Sequence, residues 1–101
     1  MNAKIAISVL HFELSQETRQ QICGAVECLF SHASSVARVD VTVEGEYRHN
    51  TQILYNVTLR AQLLEAVLFE LKQGDHLLQT VQAAAASLDH RLQEMSLIPK
   101  T

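Results

Sequence analysis

The 101-residue chain has little of the material from which linkers and membrane spans are built. It contains one proline and three glycines, and no apolar run approaches the ~20 residues that a membrane-spanning helix needs. Hydrophobic residues make up 48% of the chain, which is enough for a core and excludes global disorder. We therefore expect a single domain over residues 1–95, followed by a frayed tail over residues 96–101.

The chain also lacks the features of an exported protein or a metalloprotein. Its start, MNAKIAISVLHFEL, has one lysine and no small-residue cleavage site, so we expect a cytoplasmic protein. Cys23 and Cys28 are five residues apart in one predicted helix, which puts their Cα atoms beyond disulfide reach. Because no histidine repeats this spacing, we expect neither a metal site nor a cofactor.

Positive charge is scarce as well. Eight lysines and arginines stand against eleven acidic residues, giving a net charge of -3, so overall electrostatics does not draw the protein toward phosphate. A glycine-rich phosphate loop and a nucleophile elbow are both missing from the sequence. We therefore expect a protein that is not an enzyme and has no small-molecule substrate.

What the chain does have is clear hydrophobic periodicity. Steps of three and four residues put one apolar stripe on a helix over residues 16–32, capped by Ser15. A second stripe lies on a helix over residues 75–95, capped by Asp75. Alternating or continuous apolar runs predict four strands, over residues 4–10, 36–47, 52–61 and 63–72.

The order β-α-β-β-β-α predicts an α+β fold of two layers. The first two strands flank a helix, so they should be parallel through a right-handed crossover, and the later strands should be antiparallel neighbours. Each helix has a single apolar stripe, and one face of a sheet can cover both. We therefore predict a four-stranded mixed sheet with both helices on one face and an open opposite face.

Three stretches of the sequence resemble the short ribosome hibernation-promoting factors and ribosome-associated inhibitors of bacteria. They are HFELSQETRQQICGAVECLF, VARVDVTVEGE and LFELKQGDHLLQTVQAAAASLDHRL. The resemblance covers roughly residues 2–95 and implies the same β-α-β-β-β-α fold, which is similar to a double-stranded-RNA-binding domain. It also implies binding to the small ribosomal subunit, in the channel used by messenger and transfer RNA. Translation would then be silenced during ribosome hibernation, a stress response.

The family binds RNA through lysines and arginines on its two helices, and this chain departs from it there. The outward positions of the last helix are Gln79, Gln82, Ala83, Ala86, His90 and Gln93. Each lost cation removes one counterion-release contribution to RNA affinity. The remaining candidates for RNA contact are Arg48 and His49 in a predicted hairpin loop, and His90 and Arg91 on the last helix.

The predicted fourth strand has apolar side chains on both faces, although the two helices can cover only one. Either Leu64, Ala66 and Leu68 or the opposite row should therefore lie on the open face. An exposed apolar patch often marks a partner surface. The alternative function is a divergent member without RNA binding that acts as a self-associating protein-interaction module. Such a homodimer would form through the open face or the edge of the fourth strand.

Overall fold

A computed structural model of the chain describes residues 4–32, 36–48, 52–64 and 66–97, with side chains described for 4–30, 36–48, 52–64 and 66–94. Its elements are β1 (Ile5–Leu10), α1 (Gln16–His32), β2 (Val36–Tyr47), β3 (Ile53–Leu63), β4 (Val67–Gly74) and α2 (Leu77–Leu97). This is the predicted β-α-β-β-β-α order, and the α+β fold class is confirmed. Neither helix, over the described residues, is long and apolar enough to cross a membrane.

The four strands form one mixed sheet in the order β1-β2-β3-β4. β1 and β2 are parallel, with Ile7 opposite Val41, as expected for strands joined through a helix. β3 is antiparallel to β2, and β4 is antiparallel to β3, with Arg60 opposite Phe69. The predicted mixed topology is therefore confirmed.

Both helices lie on one face of this sheet, and their predicted stripes form the core with it. The helices contribute Ile22, Val26, Leu29, Val81, Leu88 and Leu92, all fully or almost fully buried. The sheet contributes alternate residues of its two central strands, Val39, Val41, Val43, Val57, Leu59 and Ala61. Burying one such aliphatic side chain is worth roughly 1.5–3 kcal/mol, so this single cluster fixes the helices on the sheet.

The connection from β1 to α1 is held at two points. Ser15 Oγ accepts a hydrogen bond from the Thr18 N–H at 3.1 Å, which confirms the predicted cap of the helix. Phe12 packs edge-on against Tyr55, with ring centroids 5.4 Å apart. Phe12 also covers Gly45, where an added Cβ would lie 3.0 Å from the ring. The crossover is therefore anchored to β2 and β3 before the helix starts.

The hairpin between β3 and β4 turns later than the sequence predicts. The sequence predicts strands over 52–61 and 63–72, whereas β3 continues to Leu63 and β4 starts at Val67. The Leu63 N–H donates to the Ala66 carbonyl at 2.8 Å, which closes the hairpin. The apolar run through this region has no alternation that separates one strand from the next, so periodicity could not locate the turn.

This shift decides which row of β4 lies on the open face. Leu68 lies opposite Ala61 on the helix-covered side and packs against the core, so its assignment to an open-face interface is wrong. Leu64 is 87% exposed at the hairpin, and Ala66 is exposed just before β4. Because side chains alternate along a strand, the open face carries the opposite row. That row is Val67, Phe69 and Leu71.

The start of α2 explains the glycine that precedes it. The helix begins two residues later than predicted, and the His76 carbonyl accepts hydrogen bonds from the N–H and Oγ1 of Thr80 at 2.9 and 2.6 Å. The backbone of Gly74 does not have a positive φ. Instead, the buried Thr80 Oγ1 occupies the space that a Cβ on Gly74 would need. Gly74 is required for space rather than for conformation.

We predict that Gly74→Ala destabilises the protein by about 1–3 kcal/mol, because the new methyl group displaces Thr80 Oγ1 from its hydrogen bond. In a Thr80→Ala background the same change should cost much less, since the obstructing oxygen is gone. Urea unfolding of the two single variants and the double variant measures this coupling.

The matched control is Gly24→Ala in α1. An added Cβ there meets no described atom within 4 Å apart from its own helix backbone, so alanine should stabilise the protein by about 1 kcal/mol. If the losses in unfolding free energy caused by Gly74→Ala and Thr80→Ala simply add in the double variant, the steric explanation is contradicted.

Candidate functional site

The outward faces of α1 and α2 are where the resemblance places RNA. Their exposed side chains include Gln20, Gln21, Glu27, Gln79, Gln82, Ala83, Ala86, His90, Gln93 and Glu94. Within residues 16–30 and 77–94, Arg19 and Arg91 are the only cations besides the histidines, and both lie at the flanks of these faces. The surface is therefore built of amides, small residues and carboxylates rather than phosphate-binding cations.

Two of the predicted RNA contacts lie beside carboxylates. Arg48 Nη2 is 3.5 Å from Glu46 Oε2, just after the end of β2. On the outward side of α2, His90 Nε2 is 2.9 Å from Glu94 Oε1. His49 lies outside the described residues. In each described case a phosphate would compete with a carboxylate that is already in contact.

The third described candidate, Arg91, connects α2 to the sheet. Arg91 Nη1 donates to the Phe69 carbonyl at 2.5 Å and lies 3.2 Å from Glu70 Oε2. The Glu70 side chain is only 17% exposed, so this contact turns the guanidinium toward β4. The structure therefore places Arg48 after the end of β2, His90 on the outward side of α2 and Arg91 against β4, each beside a different carboxylate.

The same contact protects the outer edge of β4. An edge strand offers unpaired backbone groups to any added strand, and a long charged side chain blunts that tendency. Arg91 already occupies the carbonyl of Phe69. This makes the β4 edge, one of the two surfaces expected for self-association, a poor template for a second strand.

A negative charge lies between the helices. The Cys28 Sγ donates to the Ala25 carbonyl at 3.4 Å. Burial raises the pKa of the Cys28 thiol, and the Asp89 carboxylate on α2 raises this pKa further. Asp89 Oδ2 also accepts a hydrogen bond from the Gln93 side chain at 3.0 Å. The sequence carries no local signal of this site, because Cys28 and Asp89 meet only when α1 packs on α2.

The open face of the sheet has a charged zone on its central strands. Arg38 Nε lies 2.7 Å from Asp40 Oδ1, and Arg60 Nη1 lies 3.1 Å from Asp40 Oδ2. Gln62 accepts a further hydrogen bond from Arg60 at 3.4 Å. Here the two arginines share one carboxylate, so this zone combines positive and negative groups on a single surface.

Beside this zone lies the exposed apolar row of β4, formed by Val67, Phe69 and Leu71. Their exposed fractions are 39%, 56% and 67%. The row is one strand wide, since the residues opposite it on β3 are polar. An exposed row of this size on a wet sheet face is a candidate protein contact.

A groove of about 490 Å³ lies between β1 and α1. Its walls are Ile5, Ile7, Gln16, Arg19, Gln20, Cys23 and Glu27. Ile5 and Ile7 share one face of β1 and are only partly buried. The reason is that α1 packs more closely along α2 than on β1, which leaves the first strand incompletely covered.

The described residues contain no group of three or more histidine, cysteine, aspartate or glutamate side chains arranged to hold a metal ion. Cys23 is half-buried and Cys28 is exposed, and no disulfide joins these two residues.

Comparison with known proteins shows a shared fold. No protein-family model and no curated protein sequence matches this chain. Among solved structures, a ribosomal subunit interface protein from Coxiella burnetii matches with a TM-score of 0.72 and 13% identity, over 91% of this chain and 96% of that one. The N-terminal domain of Protein Y from Thermus thermophilus matches with a TM-score of 0.71 and 12% identity, over 94% and 99%. The sequence resemblance is thus confirmed at the level of the fold.

The effect of the Asp89 carboxylate on the Cys28 thiol can be measured by alkylation. In a Cys23→Ser background, the pH midpoint of Cys28 alkylation by iodoacetamide should lie above that of a cysteine peptide, because the thiolate is disfavoured. Asp89→Asn should lower this midpoint and speed alkylation at a fixed pH. Glu17→Gln, about 16 Å along α1, serves as the control and should change neither value. An unchanged midpoint in Asp89→Asn would rule out the carboxylate as a cause.

Proposed function

We propose that this protein is a ribosome-associated, cytoplasmic factor without enzymatic activity, which binds the small subunit and keeps it from translating. The main support for this proposal is the fold, which matches that of a ribosomal subunit interface protein over 91% of this chain. The resemblance of three sequence stretches to hibernation factors supports it independently of the coordinates.

The surface chemistry limits how such binding would work. Phosphate affinity comes mainly from cations that release counterions, and the outward helix faces offer amides instead. The exposed Gln79, Gln82 and Gln93 can donate hydrogen bonds to phosphate or base edges without adding charge. Binding through these faces should therefore depend less steeply on salt than binding by a lysine-rich protein of the same fold.

Co-sedimentation with purified ribosomes at constant magnesium tests the proposal. We expect the protein in the small-subunit fraction at about 50 mM salt, with only a modest loss at about 200 mM, where a protein making many phosphate contacts dissociates. Addition of the protein should also reduce synthesis in a cell-free translation reaction. Absence from the ribosomal fraction at the lower salt concentration would refute ribosome association.

Added lysines should show whether the helices face RNA. The triple variant Gln79→Lys, Gln82→Lys, Gln93→Lys should bind ribosomes more tightly. Its plot of log K against log salt should become steeper by about 0.7–0.9 for each lysine that reaches a phosphate. Filter binding or co-sedimentation at several salt concentrations measures the slope.

The matched control puts the same charge on the opposite side of the molecule. Thr58→Lys, Gln62→Lys and Gln73→Lys add three lysines to the open sheet face. This variant should keep the parent slope, because its lysines point away from the helices. Equal steepening by both triple variants would mean that the gain is non-specific attraction.

A second candidate function is self-association as a protein-interaction module that does not bind RNA. Two observations favour it: the described cations expected to contact RNA lie beside carboxylates, and apolar side chains remain exposed on the sheet. Two surfaces could form the contact between copies: the exposed row of β4 and the groove beside β1.

Sedimentation velocity over a wide concentration range should detect a homodimer if self-association is correct. The sedimentation coefficient should rise with concentration toward the dimer value, since association follows mass action. A sedimentation coefficient that stays at the monomer value up to the highest soluble concentration would exclude this function.

A further inference from the structure

We propose that the edge formed by β1 and its groove is a two-fold interface, at which a second copy of this chain docks its own β1 antiparallel to the first. The pairing would join the two sheets into one continuous sheet and set the two α1 helices side by side. This inference rests on the second proposed function and assigns the surface that carries it.

Alternate backbone groups of β1 point away from β2, as such pairing requires. The Lys4 carbonyl accepts the Val39 N–H at 2.9 Å, so Lys4 and the alternate residues after it point their backbone groups toward β2. In a strand, the residues between them direct their N–H and C=O groups to the other side. For β1 these are Ile5, Ile7 and Val9. β1 lies at the end of the sheet and, among the described strands, pairs only with β2.

The two ends of the sheet differ in this respect. At the β4 end, Arg91 binds the carbonyl of Phe69 and an ion pair with Glu70 holds it there. At the β1 end, no described side chain makes a comparable hydrogen bond to the outward backbone groups of Ile5–Leu10. An added strand therefore has a template at β1 and an obstacle at β4.

The side chains of β1 are self-complementary under a two-fold axis through Ile7. An antiparallel pair centred there puts Ile7 opposite its copy and Ile5 opposite Val9 of the second copy, all on the helix side. On the open side, the small side chains of Ala6 and Ser8 face each other. This register uses every outward backbone group of the strand core and fills the groove of each copy with β-branched side chains from the other.

The charges at the groove follow the same symmetry. α1 returns between two parallel strands, so Arg19 lies toward the C-terminal end of β1 and Glu27 toward its N-terminal end, and both line the groove. A two-fold axis through the middle of the strand exchanges these ends. It brings Arg19 of each copy to Glu27 of the other. Among the described residues, Arg19 makes no ion pair, in contrast to Arg38, Arg48, Arg60 and Arg91.

The identity of the partner follows from this match. A groove with an isoleucine floor, a cation at one end and a carboxylate at the other suits an antiparallel copy of itself, because each end meets the opposite charge. A second copy also supplies the strand that satisfies the outward backbone groups.

A charge-swap series on the full-length protein tests the interface by sedimentation velocity. Arg19→Glu and Glu27→Arg each put like charges opposite one another and should raise the dimer Kd by at least about tenfold. The double variant restores both opposite-charge contacts and should return the Kd to within about threefold of the parent value. Arg38→Glu on the open face makes the same change in net charge and should leave the Kd unaltered.

A backbone variant tests the strand pairing separately. The Ile7 N–H points away from β2, so Ile7→Pro removes the outward donor without removing a hydrogen bond inside the protomer. We expect a folded monomer by circular dichroism and sedimentation. Ser8→Pro, whose N–H points toward β2, should instead destabilise the fold itself.

The possible outcomes separate this interface from self-association in general. A monomeric parent protein would overturn both. A dimer that survives Arg19→Glu and Ile7→Pro but dissociates in Phe69→Ser would overturn the β1 assignment and leave self-association through the open face. Failure of the double charge swap to restore the dimer, while both single variants disrupt it, would overturn the two-fold register.

Discussion

The constraint on which this structure depends is that two one-sided helices share one face of a four-stranded sheet. Each helix buries a single stripe, and the inward row of the two central strands receives both. The helices pack closely on each other, and the helix layer covers β3 and β4 better than β1. One face of the sheet consequently remains exposed to solvent, and the groove beside β1 remains partly open.

The fold of this protein and its surface charge are separate properties. The backbone matches proteins from Coxiella burnetii and Thermus thermophilus at 12–13% identity, a likeness that shows a shared architecture and not a shared function. Most arginines in the described residues contact carboxylates of the same chain. Ion pairs on the surface contribute little stability. Their larger consequence here is that they reduce the positive potential available to a phosphate.

The two edge strands of the sheet differ in the contacts that the helices make with their backbones. α2 lies along β4, and its Arg91 occupies the carbonyl of Phe69, which makes this edge a poor template for a further strand. Within the part of the chain that the structure describes, α1 makes no such contact with β1, although its Arg19 and Glu27 line the groove between them. The asymmetry arises because α2 packs closely on β3 and β4, whereas α1 packs mainly on α2 and touches β1 and β2 only lightly.

The sequence by itself determined the elements and their order. Helical and strand periods are local properties of the chain, so α1 and β2 have the bounds that their patterns predict. The run from Leu63 to Leu71 has no period, and only pairing with β3 decided that Leu68 is inside and Phe69 outside. Contacts between distant residues, such as Arg91 with Glu70 or Cys28 with Asp89, leave no local signal. Tertiary packing alone decided those contacts, and with them the charge and accessibility of each candidate surface.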